Sequence, residues 1–259
     1  MEKDIKYIRV YFITFVIGFT ILVSISFLIS VLKEKKNALK YAEIECRSSF
    51  SKDLLYRRWA SMHGGIYVPV TDKTPPNEKL AFIPERDITT PSGVKLTLMN
   101  PAYMTRQVFD VALSEYRVQG HITSLNPIRA ENKADDWESQ MLKLFEKGLQ
   151  DTSSIEMKDG QPYLRYMKAM VTEQRCLKCH AAQGYKLGEV RGGISVSVPV
   201  TDYFDVYHSY VQRAAVNHSL ILIIVLLASF IAYRKFYREL SINNQLKMNL
   251  IKNEISLKE

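Results

Sequence analysis

Cysteine is scarce in this chain: three occur among 259 residues. That excludes a small fold stapled by disulfides. Two of the three sit together and the third, Cys46, stands alone, where a lone thiol packs or cross-links a dimer. Signatures of catalysis are missing as well. There is no Gly-rich phosphate loop, no Ser, His and Asp in a hydrolase order, and no pair of carboxylates set for acid–base work. Asp135, Asp136 and Glu138 open a predicted helix, where the dipole favours negative charge. The expectation is a protein that is not an enzyme. No internal repeat is visible, and no Ala-x-Ala cleavage site follows the first apolar run.

Positive charge is present in excess, with a net charge of +8. Much of it flanks two long apolar runs, which suits headgroup contacts and topology rather than nucleic acid. Membrane lipid is therefore an expected partner and nucleic acid is not. Residues 10–32 carry no charge and are long enough, at 1.5 Å per residue, to cross a bilayer. Lys3, Lys6 and Arg9 precede them and Lys33-Glu34-Lys35-Lys36 follow, so the run reads as an uncleaved signal anchor. The second run is 214–233. Arg234, Lys235 and Arg238 follow it, against only Arg213 just before.

The positive-inside rule then places the C-terminus in the cytoplasm and the centre across the membrane. The expected organisation is a cytoplasmic N-terminus at 1–9, a span at 10–32 and a periplasmic domain at 33–213. A second span at 214–233 and a short cytoplasmic helix at 234–259 complete it. This is a two-pass protein of a bacterial inner membrane with its central domain in the periplasm. With so few residues after the second span, no output domain of its own is expected.

Within the centre, a helix is expected to 62, its apolar face given by Phe50, Leu54, Leu55, Arg58 and Trp59 and its end by Gly64-Gly65. Strands are expected at 66–70, 95–99, 119–125 and 192–199, with a hairpin across Asp159-Gly160. Residues 71–86, rich in Pro and Lys, read as a loop. Asn100-Pro101 caps and opens a helix, and a further helix is expected at 135–149. A last helix starts at Thr201 or Asp202 and continues into the second span. The fold class predicted is α+β, a PAS- or Cache-like antiparallel-sheet domain between two transmembrane helices.

The chemistry sits in Cys176-Leu177-Lys178-Cys179-His180, expected in a loop. Two cysteines three apart and an adjacent histidine form the spacing that fastens a c-type haem. Cys176 and Cys179 each add across one vinyl group as thioethers, and His180 reaches the iron. A zinc site would want two more ligands nearby, and a redox dithiol would want a βαβ setting; neither is there. One motif implies one covalent haem. For the second axial position the candidates are His63, Met99, Met104 and His121, with Cys46 or an open site as alternatives.

Several segments, taken in order, resemble a known family. They are Arg57-Arg58-Trp59 through His63-Gly64-Gly65-Ile66-Tyr67-Val68-Pro69, Asn100-Pro101-Ala102-Tyr103-Met104-Thr105-Arg106-Gln107, and His121-Ile122-Thr123-Ser124-Leu125 with Trp137-Glu138. Cys176 to His180 and Arg191-Gly192-Gly193-Ile194-Ser195-Val196 complete the set. Together they resemble the bacterial c-type-haem, PAS-like sensor domain that fronts membrane histidine kinases and diguanylate cyclases. The resemblance covers about residues 45–202. It implies a PAS-like fold, covalent haem at Cys176 and Cys179, His180 as proximal ligand, and sensing of redox state or a diatomic gas. The implied partner is a separate cytoplasmic signalling protein, with a homodimer as an open alternative. Two other functions remain: a mono-haem electron-transfer subunit of a membrane oxidoreductase with its redox partner, and an assembly protein whose haem is structural.

Overall fold

The computed structural model describes residues 2–257, with the side chains of 2–4, 178, 179 and 254 outside the description. The chain divides into two units, Met1–Ala38 with Phe204–Glu259, and Leu39–Tyr203. Two long helices are shared between them: α1, Glu2–Met62, and α5, Thr201–Ser256.

In the first unit α1 and α5 contribute the two apolar stretches, with mean hydropathies of 2.6 and 2.3, long enough to cross a membrane. A helix satisfies its backbone internally, which an apolar surrounding demands. Three hydroxyls follow the same rule: Thr20, Ser24 and Ser229 each donate to the carbonyl four residues earlier. The two stretches lie antiparallel. Phe12 stacks on Tyr233 at 4.6 Å, Phe27 meets His218 edge-on at 5.5 Å, and Ser26 Oγ lies 3.3 Å from His218 Nε2.

The second unit is built on two antiparallel sheets. The smaller has the order β1 (Ile66–Pro69), β3 (Lys95–Met99), β2 (Asp87–Thr89). The larger has the order β4 (Gln119–Thr123), β7 (Val190–Pro199), β6 (Gln161–Val171), β5 (Asp151–Lys158). The β5–β6 hairpin turns across Asp159-Gly160, both at positive φ (51° and 75°), the geometry that matches strand twist. α2 (Pro101–Tyr116) is capped by Asn100, whose side chain accepts from the Tyr103 amide at 2.8 Å. α3 (Asp136–Phe145) opens on a capping box between Asp135 and Glu138 and stops at Phe145, short of the expected 149. Leu144 and Phe145 carbonyls accept from Lys147, Gly148 and Leu149, so the chain turns there instead of continuing.

The larger sheet is covered on both faces, which is why β7 is buried almost throughout. On one face α3 packs Leu142 and Phe145 against Met167, with Trp137 and Met141 at the margin. On the other, α1 lays down a stripe of Ala42, Cys46, Phe50, Asp53, Arg57 and Ala60. Phe50 meets Tyr166 edge-on and the Cys46 thiol donates to the Leu164 carbonyl. This corrects the face expected from sequence: Leu55 and Trp59 are 65% and 53% exposed. α2 packs close beside, since a Cβ at Gly120 would fall 2.3 Å from the Phe109 ring.

One strand of the smaller sheet was not expected from sequence. β2 pairs with β3 beside the Pro- and Lys-rich segment, an edge strand that needs only one partner. Gly65, with φ at +122°, is required by close approach to β3, where a Cβ would lie 2.7 Å from Leu98.

Candidate functional site

β6 leads directly into the cysteine motif, and β7 leads away from it. The excursion between them is closed at its base: Thr172 donates to the Glu189 carbonyl at 2.8 Å and accepts from the Gly188 amide at 2.9 Å. Inside, the chain is helical rather than looped. A 3₁₀ turn at Gln174–Cys176 runs into α4, Leu177–His180, and a second 3₁₀ turn at Ala181–Gln183 ends on Gly184 at φ +87°. Cys176 is half-buried with a free thiol, and its Sγ accepts from the Glu173 amide. The side chain of Cys179 lies outside the described residues.

His180 is half-buried, and both ring nitrogens are engaged. Nδ1 lies 2.6 Å from Gln183 Oε1, and Nε2 lies 3.4 Å from Arg191 Nη1. An amide oxygen only accepts and a guanidinium only donates. The ring therefore carries its proton on Nδ1 and leaves a lone pair on Nε2. Gln183 is itself held, donating through Nε2 to the Asn126 carbonyl at 2.9 Å. Burial lowers the His180 pKa, and the nearby positive charges of Arg191 and Arg57 push the same way against the Gln183 bond. A neutral imidazole with a directed Nε2 lone pair is the form that binds a metal, oriented by a bond at the other nitrogen.

Two arginines, Arg57 and Arg191, stand near this turn, and a third, Arg106, stands near Arg57. Arg57 of α1 is 8% exposed and donates to Thr105 Oγ1 at 3.2 Å. Burial, followed by repulsion from Arg191 and Arg106, lowers its pKa to about 10, while Cys176 acts on it in the opposite sense. Arg106 follows Thr105 on α2, and its guanidinium lies over the Tyr103 ring at 5.3 Å. Arg191 opens β7.

The expected candidates for a second axial ligand are scattered. His63 is exposed, packs on Trp59 and bonds the Trp59 carbonyl through Nδ1 at 2.9 Å. Met99 is buried at the end of β3. Met104 sits half-buried in the first turn of α2. Cys46 is buried against β6 with its thiol pushed up to about 12, chiefly by burial.

His121 belongs to a different constellation. Its Nδ1 lies 2.9 Å from Glu138 Oε2 and its Nε2 lies 3.0 Å from the Glu131 carbonyl, so neither nitrogen is free. Glu138 is fully buried and also accepts from Ser195 and from Arg165. Burial pushes its carboxyl up, but His121, Ser195 and the Asp135 amide outweigh this and hold it at about 2. The group lines a polar cavity of about 240 Å³ with Gln119, Lys158 and Ser197. Glu138 is thus more than the dipole partner expected of a first-turn acid. The arginines, Gln183 and the Glu138 hub were not found from sequence. Arg57, Arg106, Arg191 and Glu138 lay within the segments that carry the family resemblance, without a role read for them, and Glu138 had a local signal besides, its place three residues after Asp135.

These features define a class: an antiparallel α+β domain with a cysteine- and histidine-bearing helical turn, joined to two helices apolar enough to span a bilayer. A family model described as Tll0287-like, Tll0287, matches residues 29–199, and the chain belongs to that family. Among curated proteins none matches its sequence. Among solved structures, the chain is similar to the crystal structure of the cyanobacterial haem protein Tll0287 at 12% identity. That match covers 60% of this chain and 92% of the other, with a TM-score of 0.40.

Proposed function

We propose that this protein is a membrane-anchored sensor carrying one c-type haem, which reports redox state or a diatomic gas through α5 to a separate protein. The observation that carries the reading is the His180 imidazole, with its proton fixed on Nδ1 by Gln183 and its lone pair on Nε2, where a metal would take the place of the Arg191 contact. Cys176 and Cys179 would hold the group as thioethers and His180 would ligate the iron. Bound there, a haem supplies an iron that changes oxidation state or takes a gas ligand. Membership of a family named for Tll0287, itself a haem protein, supports the cofactor.

The PAS- or Cache-like reading of the domain is supported by the larger sheet, in which its first strand in sequence, β4, pairs with its last, β7. The reading as a sensor is supported by the chain path. β7 ends at Pro199, and α5 begins at Thr201 and runs unbroken to Ser256. The two apolar stretches support a two-pass place in a bacterial inner membrane, with 33–213 in the periplasm. No catalytic residue is assigned. A homodimer is supported by the exposed apolar side chains Leu55, Trp59 and Met62 of α1.

The test has two stages. Protein from cells with haem-maturation machinery is stained for haem on a denaturing gel; absence of covalent haem overturns the reading. The reconstituted protein is then cross-linked through cysteines placed at the end of α5, with haem oxidised, reduced and CO-bound. Patterns that differ between states support a sensor. Identical patterns assign the protein to electron transfer instead.

A further inference from the structure

Arg57, Arg106 and Arg191 share an unusual situation. They come from α1, α2 and β7; Arg191 reaches His180, Arg57 lies near both Arg191 and Cys176, and Arg106 lies near Arg57. A buried guanidinium ordinarily lies against a carboxylate, because taking a charge out of water is costly unless it is paired. Among the described residues, no carboxylate lies within salt-bridge distance of any of the three, whereas Arg47, Arg86, Arg129, Arg165 and Arg175 each have one. Asp110, one turn after Arg106 on α2, acts on it without reaching salt-bridge distance, and two further acids lie in the neighbourhood. Glu131 pairs with Arg129 at 2.9 Å. Asp53 lies one turn before Arg57 on α1, outside pairing distance, and burial raises its carboxyl to about 6. The Nε atoms of Arg106 and Arg191 are buried without a hydrogen-bond partner. Three planar donors with spare hydrogens, close to one another and none salt-bridged to a carboxylate among the described residues, form a site for carboxylates.

We infer that Arg57, Arg106 and Arg191 bind the two propionate carboxylates of the haem held at Cys176, Cys179 and His180. The inference rests on the haem reading of that turn and adds the residues that fix the ring's orientation within it. Arg191 has a double place, since its Nη1 faces His180 Nε2 at 3.4 Å while its Nε has no partner. Arg57 is held by Thr105, which accepts from Nη1 and leaves its other nitrogens to a ligand. The same donors could take a free anion such as phosphate, and the test separates the two sources.

The experiment uses the full-length holoprotein. A carbodiimide and a small amine are added to native and to urea-unfolded protein, and the haem peptide is isolated after proteolysis. Its mass reports amidation of the propionates. Paired propionates react at least tenfold more slowly in the native protein than in the unfolded. Arg106→Gln and Arg191→Gln, which alter half-exposed side chains, raise the native rate several-fold while circular dichroism stays unchanged, and Arg57→Gln is the buried counterpart.

Equal rates in native and unfolded wild type overturn the inference without any arginine variant. So does full protection in folded variants, which would mean burial alone. Fast native amidation, with inorganic phosphate bound by wild type but not by Arg191→Gln, assigns the cluster to a free anion and equally overturns it. Absence of any haem peptide is the separate failure of the haem reading.

Discussion

Gln183 decides which nitrogen of His180 carries the proton, and a leucine there would remove its acceptor at Nδ1. The imidazole could then rotate or change tautomer, and a ligand held less firmly gives a mixture of spin states. We expect Gln183→Leu to retain covalent haem on a gel but to show a mixed or shifted absorption spectrum, with Gln183→Glu close to wild type. Spectra identical to wild type in the leucine variant would remove Gln183 from this role.

The second residue pair acts on stability. Burial opposes the charge on His121, but Glu138, the Glu131 carbonyl and Asp135 outweigh it, so its folded pKa lies above the ordinary 6.5. Its contribution is full below about 6.5 and is lost as pH rises through the folded value. Glu138, held at about 2 against an ordinary 4.5, contributes above 4.5 and loses this as pH falls toward 2. The thermal midpoint should therefore be highest between about pH 4.5 and 6.5. His121→Gln should flatten the alkaline side of that profile, and an unchanged alkaline slope would contradict the assignment.

At the scale of elements, α3 and α1 hold the larger sheet by different means. α3 is amphipathic in the ordinary sense, with Leu142 and Phe145 on Met167. Leu142→Ala leaves a cavity there and should cost about 2–5 kcal/mol in reversible denaturation of the protein in detergent. A loss under about 1 kcal/mol would mean that the core relaxes around the site. α1 instead offers small and polar side chains to the sheet, Ala42, Cys46, Asp53, Arg57 and Ala60 about one helical turn apart, with Phe50 as the anchor. Close approach needs small residues, and Arg57 uses the same face to reach Thr105. The stripe that seats the helix thus also delivers a charge to the candidate site.

For the whole molecule, topology is the point to be measured. The exposed Lys186 lies in the excursion between β6 and β7, within the segment assigned to the periplasm. Lys186→Cys should react with a membrane-impermeant maleimide in cells whose outer membrane has been made leaky, and a cysteine at the exposed Lys252 should react only after the inner membrane is opened. Labelling of both in intact inner membranes, or of neither, would overturn the two-pass arrangement.

Much of the architecture was written locally and could be read from the chain. The apolar stretches of α1 and α5, the Asn100-Pro101 start of α2, the Asp159-Gly160 hairpin turn and the end of α1 before Gly64-Gly65 each depend on neighbours in sequence. So does the cysteine–histidine spacing, which is a property of five adjacent residues. Tertiary structure decided the rest. The buried face of α1 could not be read from side-chain type, because small and polar residues become core only when a sheet lies against them. Glu138 looked like a first-turn acid until β4 and β7 brought His121 and Ser195 to it. The same holds for the turn at Cys176-Leu177-Lys178-Cys179-His180. Its chemistry is local, but the proton on His180 and the arginines around it come from residues as far apart as Arg57 and Arg191, which only the folded chain brings together.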